Sequence, residues 1–186
     1  MIDIRAYAIV SADDRIADEA GKLPDSLVCE ADWLYFQAEL DRCDYTVLGR
    51  ASHEAAPNLR KRKRVVMTSR ARGVERRADA IWWNPADVAW RDLARELMPG
   101  GGRVGVPGGQ KAFDYFLDHG LTRFHLSRAR QALLPGGRGL FAAVESGERV
   151  DDILTRNGFS AGEAELIDGD ADVTLTIWRR PQAGDA

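Results

Sequence analysis

Cysteine and histidine are scarce in this chain, positive and negative charges nearly balance, and no long apolar run occurs. Each deficit closes off a class of function. The two cysteines, Cys29 and Cys43, sit in unrelated contexts without metal-ligand spacing, which argues against a disulfide framework and for free thiols in a reducing compartment. His53, His119 and His125 show no zinc-binding spacing either, so no metal is expected. A net charge of -3 over 186 residues speaks against a broad surface for nucleic acid or an anionic membrane. The basic run Arg60-Lys61-Arg62-Lys63-Arg64 reads, by itself, as a solvated turn. Nothing approaches the roughly 18 consecutive apolar residues that span a bilayer, and residues 1–5 do not open a signal peptide, so a cytoplasmic protein is expected. What remains, 45% hydrophobic and 30% charged, suffices for one core and is short for two. One domain over 1–180 with a tail at 181–186 is the expectation.

Along the chain, short β-branched runs alternate with amphipathic stretches. Residues 4–10 read as a buried strand, and the polar stretch 11–25, with Gly21 and Pro24, as a long loop of the kind that is often functional. Residues 30–42 have helical spacing, with Trp33, Phe36 and Leu40 in one stripe and Asp32 a turn before Phe36. Strands follow at 45–48, 65–68 and 80–83. Asn84 is a plausible N-cap with Pro85 at the first position of a helix that Gly100-Gly101-Gly102 stops. A strand at 104–107, the pair Gly108-Gly109 and an amphipathic segment from Gln110 then read as strand, turn and helix N-terminus. In the strand 121–127, Phe124 and Leu126 face one way, His125 and Ser127 the other. A hairpin closes the chain, with strands at 165–167 and 173–178.

That order implies an α/β fold whose central sheet is mostly parallel, with helices on both faces and an antiparallel hairpin at the C-terminus. In such sheets ligands bind beyond the carboxyl ends of the strands. The residues there are Gly49-Arg50-Ala51-Ser52, Thr68-Ser69-Arg70 and Gly108-Gly109-Gln110-Lys111. Glycine lets a phosphate approach the backbone, helix N-termini present unpaired N–H groups, and the hydroxyls and cations are phosphate donors. Arg50, Arg70 and Lys111 together suit the extra phosphate that separates NADP from NAD.

The ordered set of pieces resembles the dihydrofolate reductase superfamily over nearly the whole chain. It comprises Ile16 after an Asp-Arg pair, Leu23-Pro24, Asp32-x-x-x-Phe36, Val47-Leu48-Gly49-Arg50, Leu59-x-x-Arg62, Met67-Thr68-Ser69-Arg70, Gly108-Gly109 and the terminal hairpin. The resemblance implies a single-domain dihydrofolate reductase-like fold and NADPH as cofactor. The cofactor is held by Ala8, Ile16, Gly49, Arg50, Ser52, Thr68, Ser69, Arg70, Gly108, Gly109, Gln110 and Lys111, with the glycine pair joined by a cis peptide. It also implies reduction of dihydrofolate to tetrahydrofolate, with Asp32 hydrogen-bonding the pterin and favouring its protonation, and Ser127 bonding the same carboxylate and ring. Phe36 and Leu59 would wall the substrate and Arg62 clamp a substrate carboxylate. Without the resemblance, Asp32 would pass as a residue complementing its helix dipole.

Three features depart from the folate pattern. Asp25, not Trp, follows Pro24; Ala17 stands where the loop usually has Gly; and Phe113, without a phenol, follows the glycine pair. Gly136-Gly137-Arg138-Gly139-Leu140-Phe141 looks closer to the reductase domain of riboflavin biosynthesis, which keeps the fold and NADPH but acts on a phosphorylated pyrimidine. There the basic run at 60–64 would meet the substrate phosphate. A small-molecule pterin or pyrimidine is thus the implied partner, with the protein a monomer or a homodimer.

Overall fold

The computed structural model describes residues 1–181. Of the tail expected at 181–186, all but the first residue lies outside the described residues. In chain order the elements are β1 (Ile2–Ser11), β2 (Arg15–Ala17), α1 (Glu30–Asp41), β3 (Tyr45–Gly49), α2 (Arg50–Ala55), β4 (Arg64–Met67), β5 (Val74–Arg76) and β6 (Ile81–Trp83). They continue with α3 (Trp90–Leu97), β7 (Gly102–Gly108), α4 (Gln110–Asp118), β8 (Leu121–Ala129), β9 (Arg138–Gly139), α5 (Val150–Arg156), β10 (Ser160–Asp168) and β11 (Val173–Arg179). Short 3-10 turns occupy Asp25–Leu27 and Ala142–Ser146.

The main sheet runs β10-β11-β8-β1-β7-β3-β4-β6-β5. The strands from β8 through β6 are parallel, and antiparallel pairs close both edges. Strand alternation sorts the buried side chains onto two faces. Ile4, Ala6 and Val10 of β1, Val104 and Val106 of β7, and Phe124 and Leu126 of β8 join one apolar cluster. Leu93, Phe113, Phe116, Ile153 and Leu154 from α3, α4 and α5 complete it. The opposite face is unusually polar for a buried surface. Arg5 and Tyr7 of β1, Thr46 of β3, and His125 and Ser127 of β8 lie there, and Glu39 of α1 is buried with them.

Two local features shape the site. Strand β1 is paired to β7 only as far as Ala6 and Val106, yet its ladder with β8 continues to Ser11. Pro107, lacking an N–H, comes next on β7. The sheet therefore splits between β1 and β7 near its carboxyl end. Across the sheet, α1 sits close on β7 at Gly105, where a Cβ would come within 2.8 Å of Leu40 Cδ2.

Several local expectations need correction. The stretch 85–88 is a turn, not helix: the Asn84 carbonyl accepts from the N–H groups of Asp87 and Val88, and the Val88 carbonyl accepts the Trp83 indole N–H at 2.8 Å. Helix α3 consequently begins at Trp90. The loop 11–25 contains β2, which pairs with β9, and the hairpin strand β10 begins already at Ser160. Among the described residues no peptide bond is cis, the Gly108–Gly109 bond included. The turn is made instead by positive φ angles, +153° and +93°, which glycine adopts without a Cβ penalty.

Candidate active site

A cleft of about 1310 Å³ opens at the split, along the carboxyl ends of β1, β3, β4 and β7. Every site residue singled out in the sequence lines it. One half holds Gly49, Arg50, Ser52, Thr68, Ser69, Arg70, Gly108, Gly109, Gln110 and Lys111; the other holds Asp32, Phe36, Leu59, Arg62 and Ser127; Ala8 and Ile16 line it from β1 and β2.

The first half has the character of a polyanion site. Gly49 ends β3 and caps α2, and Gly109 caps the N-terminus of α4, whose first N–H groups have no carbonyl within the helix. A Cβ at Gly109 would meet Ser52 Oγ at 3.5 Å and the Gly49 backbone at 3.7 Å, so the channel between the two turns is only as wide as bare backbone allows. Arg50 is held by Glu54 through contacts of 2.8 and 2.7 Å. Arg70 and Lys111 are exposed, with no side-chain partner among the described residues. Thr68 Oγ1 accepts the Arg70 backbone N–H at 3.2 Å and so orders the turn.

The second half is narrower in its chemistry. Asp32 projects from the first turn of α1 toward Ser127 on β8, and burial raises its pKa, with only the nearby Ser127 hydroxyl pulling the other way. No Lys or Arg side chain offsets the burial. A carboxyl in that setting is poised to take a proton or a cationic hydrogen-bond partner. Above it, Trp33 is 57% exposed, so the apolar stripe of α1 turns partly toward the cleft rather than the core. Leu59, 87% exposed, stands at the mouth. Arg62 is already engaged by its own chain: Nε and Nη2 reach Asp41 Oδ1 at 3.0 and 2.6 Å, and Nη2 reaches Gln37 Oε1 at 2.7 Å. Arg60 bonds the other Asp41 oxygen.

Sequence reasoning passed over the cleft floor. His125 is 5% exposed and bonds Tyr35 Oη through Nδ1, while its ring lies 4.7 Å from that of Tyr7. Burial pushes the His125 pKa down to about 4 and the Tyr35 pKa up to about 12. Glu39 accepts from Arg5 and from Tyr7 Oη, both at 3.4 Å. Although burial opposes its charge, Arg42 and the other neighbouring cations hold its pKa below the usual range. The one signal for His125 was its place on the Ser127 face of β8. His53, in contrast, sits outside the cleft, 2.9 Å from Asp79. Strand β9, which pairs with β2, and the 3-10 turn after it are tied to α4 by Gln110, which donates to the Gly139 carbonyl at 3.1 Å and to Glu145 at 2.7 Å. Among the described residues no group of His, Cys, Asp and Glu has a metal-binding arrangement, and no helix is long and apolar enough to cross a membrane.

No protein-family model matches the chain, and no curated protein matches it in sequence. Solved structures do match in fold. A riboflavin biosynthesis protein from Shewanella sp. PV-4 superposes with a TM-score of 0.69 at 18% identity, covering 97% of this chain and 100% of that one. The diaminohydroxyphosphoribosylaminopyrimidine deaminase/5-amino-6-(5-phosphoribosylamino)uracil reductase from Thermotoga maritima gives 0.71 at 16% identity over 97% of this chain, which spans 57% of that one. Dihydrofolate reductase from Enterococcus faecalis, complexed with NADP(H) and RAB-propyl, gives 0.65 at 16% identity over 97% of both chains. The chain has the dihydrofolate reductase-like fold.

Proposed function

We propose that the protein is an NADPH-dependent reductase of a pterin or pyrimidine, with dihydrofolate as the leading substrate. The observation that carries this reading is Asp32: a partly buried carboxyl without a counter-ion, in the same cleft as a cationic, glycine-walled channel. NADPH fits that channel through the narrow backbone cradle at Gly49 and Gly109 and the cations Arg50, Arg70 and Lys111. When bound, it supplies the hydride. The remaining work falls to the chain. Asp32 binds the amino and ring N–H edge of the substrate and favours protonation of the ring nitrogen next to the carbon being reduced. Ser127 orients the Asp32 carboxyl, while Phe36, Leu59 and Trp33 exclude water from the ring.

A riboflavin-pathway type pyrimidine reductase is the second reading. Arg60 and Arg62 converge on Asp41 at the cleft mouth, forming a small basic cluster beside Leu59 rather than one isolated arginine, and such a cluster suits a substrate phosphate. Following NADPH oxidation with dihydrofolate separates the two: steady turnover supports the first. NADPH binding without turnover of dihydrofolate overturns it in favour of the second, and absence of NADPH binding overturns both.

A further inference from the structure

The mouth of the cleft carries an anion of its own. Arg60, Arg62 and Arg64 are the members of the basic run that line the cleft, and each is committed within the chain. Arg64 donates to the Ala56 carbonyl at 2.8 Å. Arg62 turns the Nε–Nη2 edge of its guanidinium onto Asp41 Oδ1, at 3.0 and 2.6 Å, and Nη2 also donates to the side-chain oxygen of Gln37 at 2.7 Å. Arg60 takes the other Asp41 oxygen. Gln37 and Asp41 are one turn apart at the end of α1, so the helical repeat puts both acceptors on the side that meets the run. Behind the guanidinium, Asn58 accepts the Arg62 backbone N–H at 3.0 Å and donates to the Arg62 carbonyl at 2.7 Å, which fixes the turn that presents it.

The carboxylate, not the guanidinium, is what an incoming group meets first: the Asp41 side chain is 42% exposed and that of Arg62 15%. The hydrogen bond from Arg62 holds the Asp41 carboxyl below its usual pKa range, so it is charged at neutral pH. The rest of the mouth is apolar. Leu59 is 87% exposed, and Leu23, Val28 and Trp33, also lining the cleft, are each more than half exposed. Several large apolar side chains left in water around one opening form a contact surface for an apolar group.

Resting on the reading of the protein as a pterin reductase, we infer that Asp41 is a specificity-determining residue: it occupies the arginines of the cleft mouth from inside, so that the cleft takes a ring with a neutral, apolar extension as readily as one whose extension ends in carboxylates. An anionic extension reaches Arg62 only by displacing Asp41 or by lying beside it, and the like charge offsets what the arginine gives back. Dihydrofolate is then recognised by its ring, and its terminal carboxylates add nothing. Asp41 acts through Arg60 and Arg62 and does not touch the ring, so it sets relative affinity and leaves the rate of reduction alone.

Fluorescence titration of the protein bound to NADP+, which has no hydride to give, tests this with dihydrofolate and its glutamate diamide, the same molecule with both carboxylates made neutral. In the wild type the two dissociation constants are expected to agree within about twofold, a measurement that needs no variant. Asp41→Asn keeps the side-chain size and removes the charge from the arginines, so dihydrofolate is expected to bind it about tenfold more tightly than the diamide. Adding Arg62→Gln should return that ratio toward one, and kcat with NADPH and saturating dihydrofolate should be the same in D41N as in the wild type. A wild type that already favours dihydrofolate tenfold, or a D41N ratio equal to the wild-type one, overturns the inference while leaving the reductase reading intact. If neither ligand binds the wild-type protein although NADP+ does, the pterin reductase reading fails, and this inference with it.

Discussion

At the scale of single residues, the decisive fact is that Asp32 is partly buried without a cation to pay for its charge. Its folded pKa lies above the ordinary value of 3.8, so the folded state holds the proton more tightly than the unfolded chain does. Its contribution to stability is therefore fully present at acid pH and is lost as pH rises from 3.8 through the raised value. Asp32→Asn, which keeps the shape and removes the charge, is expected to raise the thermal midpoint at neutral pH, with the gain vanishing toward pH 3. The same change is expected to lower turnover by about 10²-fold or more, on the usual scale of positioned acid–base groups, with NADPH affinity unaltered. Turnover that survives the substitution would remove Asp32 from the mechanism. Its one-turn spacing to Phe36 and the inward face of Ser127 were legible in the sequence because periodicity encodes them. The lack of a counter-ion was not, since it depends on what every surrounding element withholds.

At the scale of elements, helix α1 positions Asp32 only because β7 lets it approach. Replacing Gly105 by Ala places a methyl 2.8 Å from Leu40 Cδ2 and 3.0 Å from Cys43 Sγ, so the side chain of Leu40, buried under α1, or the helix that carries it must give way. Gly105→Ala is expected to cost about 1–3 kcal/mol in urea unfolding and to depress turnover together with stability. The segment joining β1 to β2 depends on Asp14, a residue with φ +64° and 1% exposure. Its carboxylate takes Arg128, Arg149 at 3.1 Å and the Val150 N–H at 3.2 Å, while its carbonyl accepts from Leu140 at 3.0 Å. Removing it leaves the buried Val150 N–H without its acceptor and Arg128 with Asp151 alone, so Asp14→Ala is expected to cost about 1–3 kcal/mol in thermal unfolding. It should also weaken cofactor binding through Ile16. These connections are long-range and left no mark in local sequence. Helix α2 escaped notice for a different reason: none of its residues is buried, so it has no apolar period to read. Helix α5 did carry one, with Val150, Ile153 and Leu154 on one side.

For the whole molecule, the alternation of strands and helices made the parallel sheet legible, and with it the carboxyl ends where the cleft opens. The split between β1 and β7 and the polar face beneath α1 emerged only from the pairing of distant strands. Net charge is where local and global descriptions part. The chain carries -3 overall, so no long-range attraction draws a polyanion to it, and binding of the proposed NADPH would rest on the few cations inside the cleft. Those act at short range but remain partly exposed, and raising salt from about 0.01 M to 1 M shortens the screening length from about 30 Å to about 3 Å. NADPH affinity, followed by fluorescence titration, is thus expected to fall steadily with salt, more steeply than NADH affinity because of the extra phosphate. Arg70 and Arg50 should not count equally. Arg70 has no side-chain partner among the described residues, whereas Arg50 is held by Glu54 at 2.7 Å. Arg70→Ala should therefore weaken NADPH binding about tenfold and narrow its margin over NADH. Arg50→Ala leaves Glu54 behind without its cation, so its loss should shrink toward the wild-type value when Glu54 is replaced by Gln as well. Equal losses in NADPH and NADH affinity from Arg70→Ala would place the extra phosphate elsewhere in the cleft.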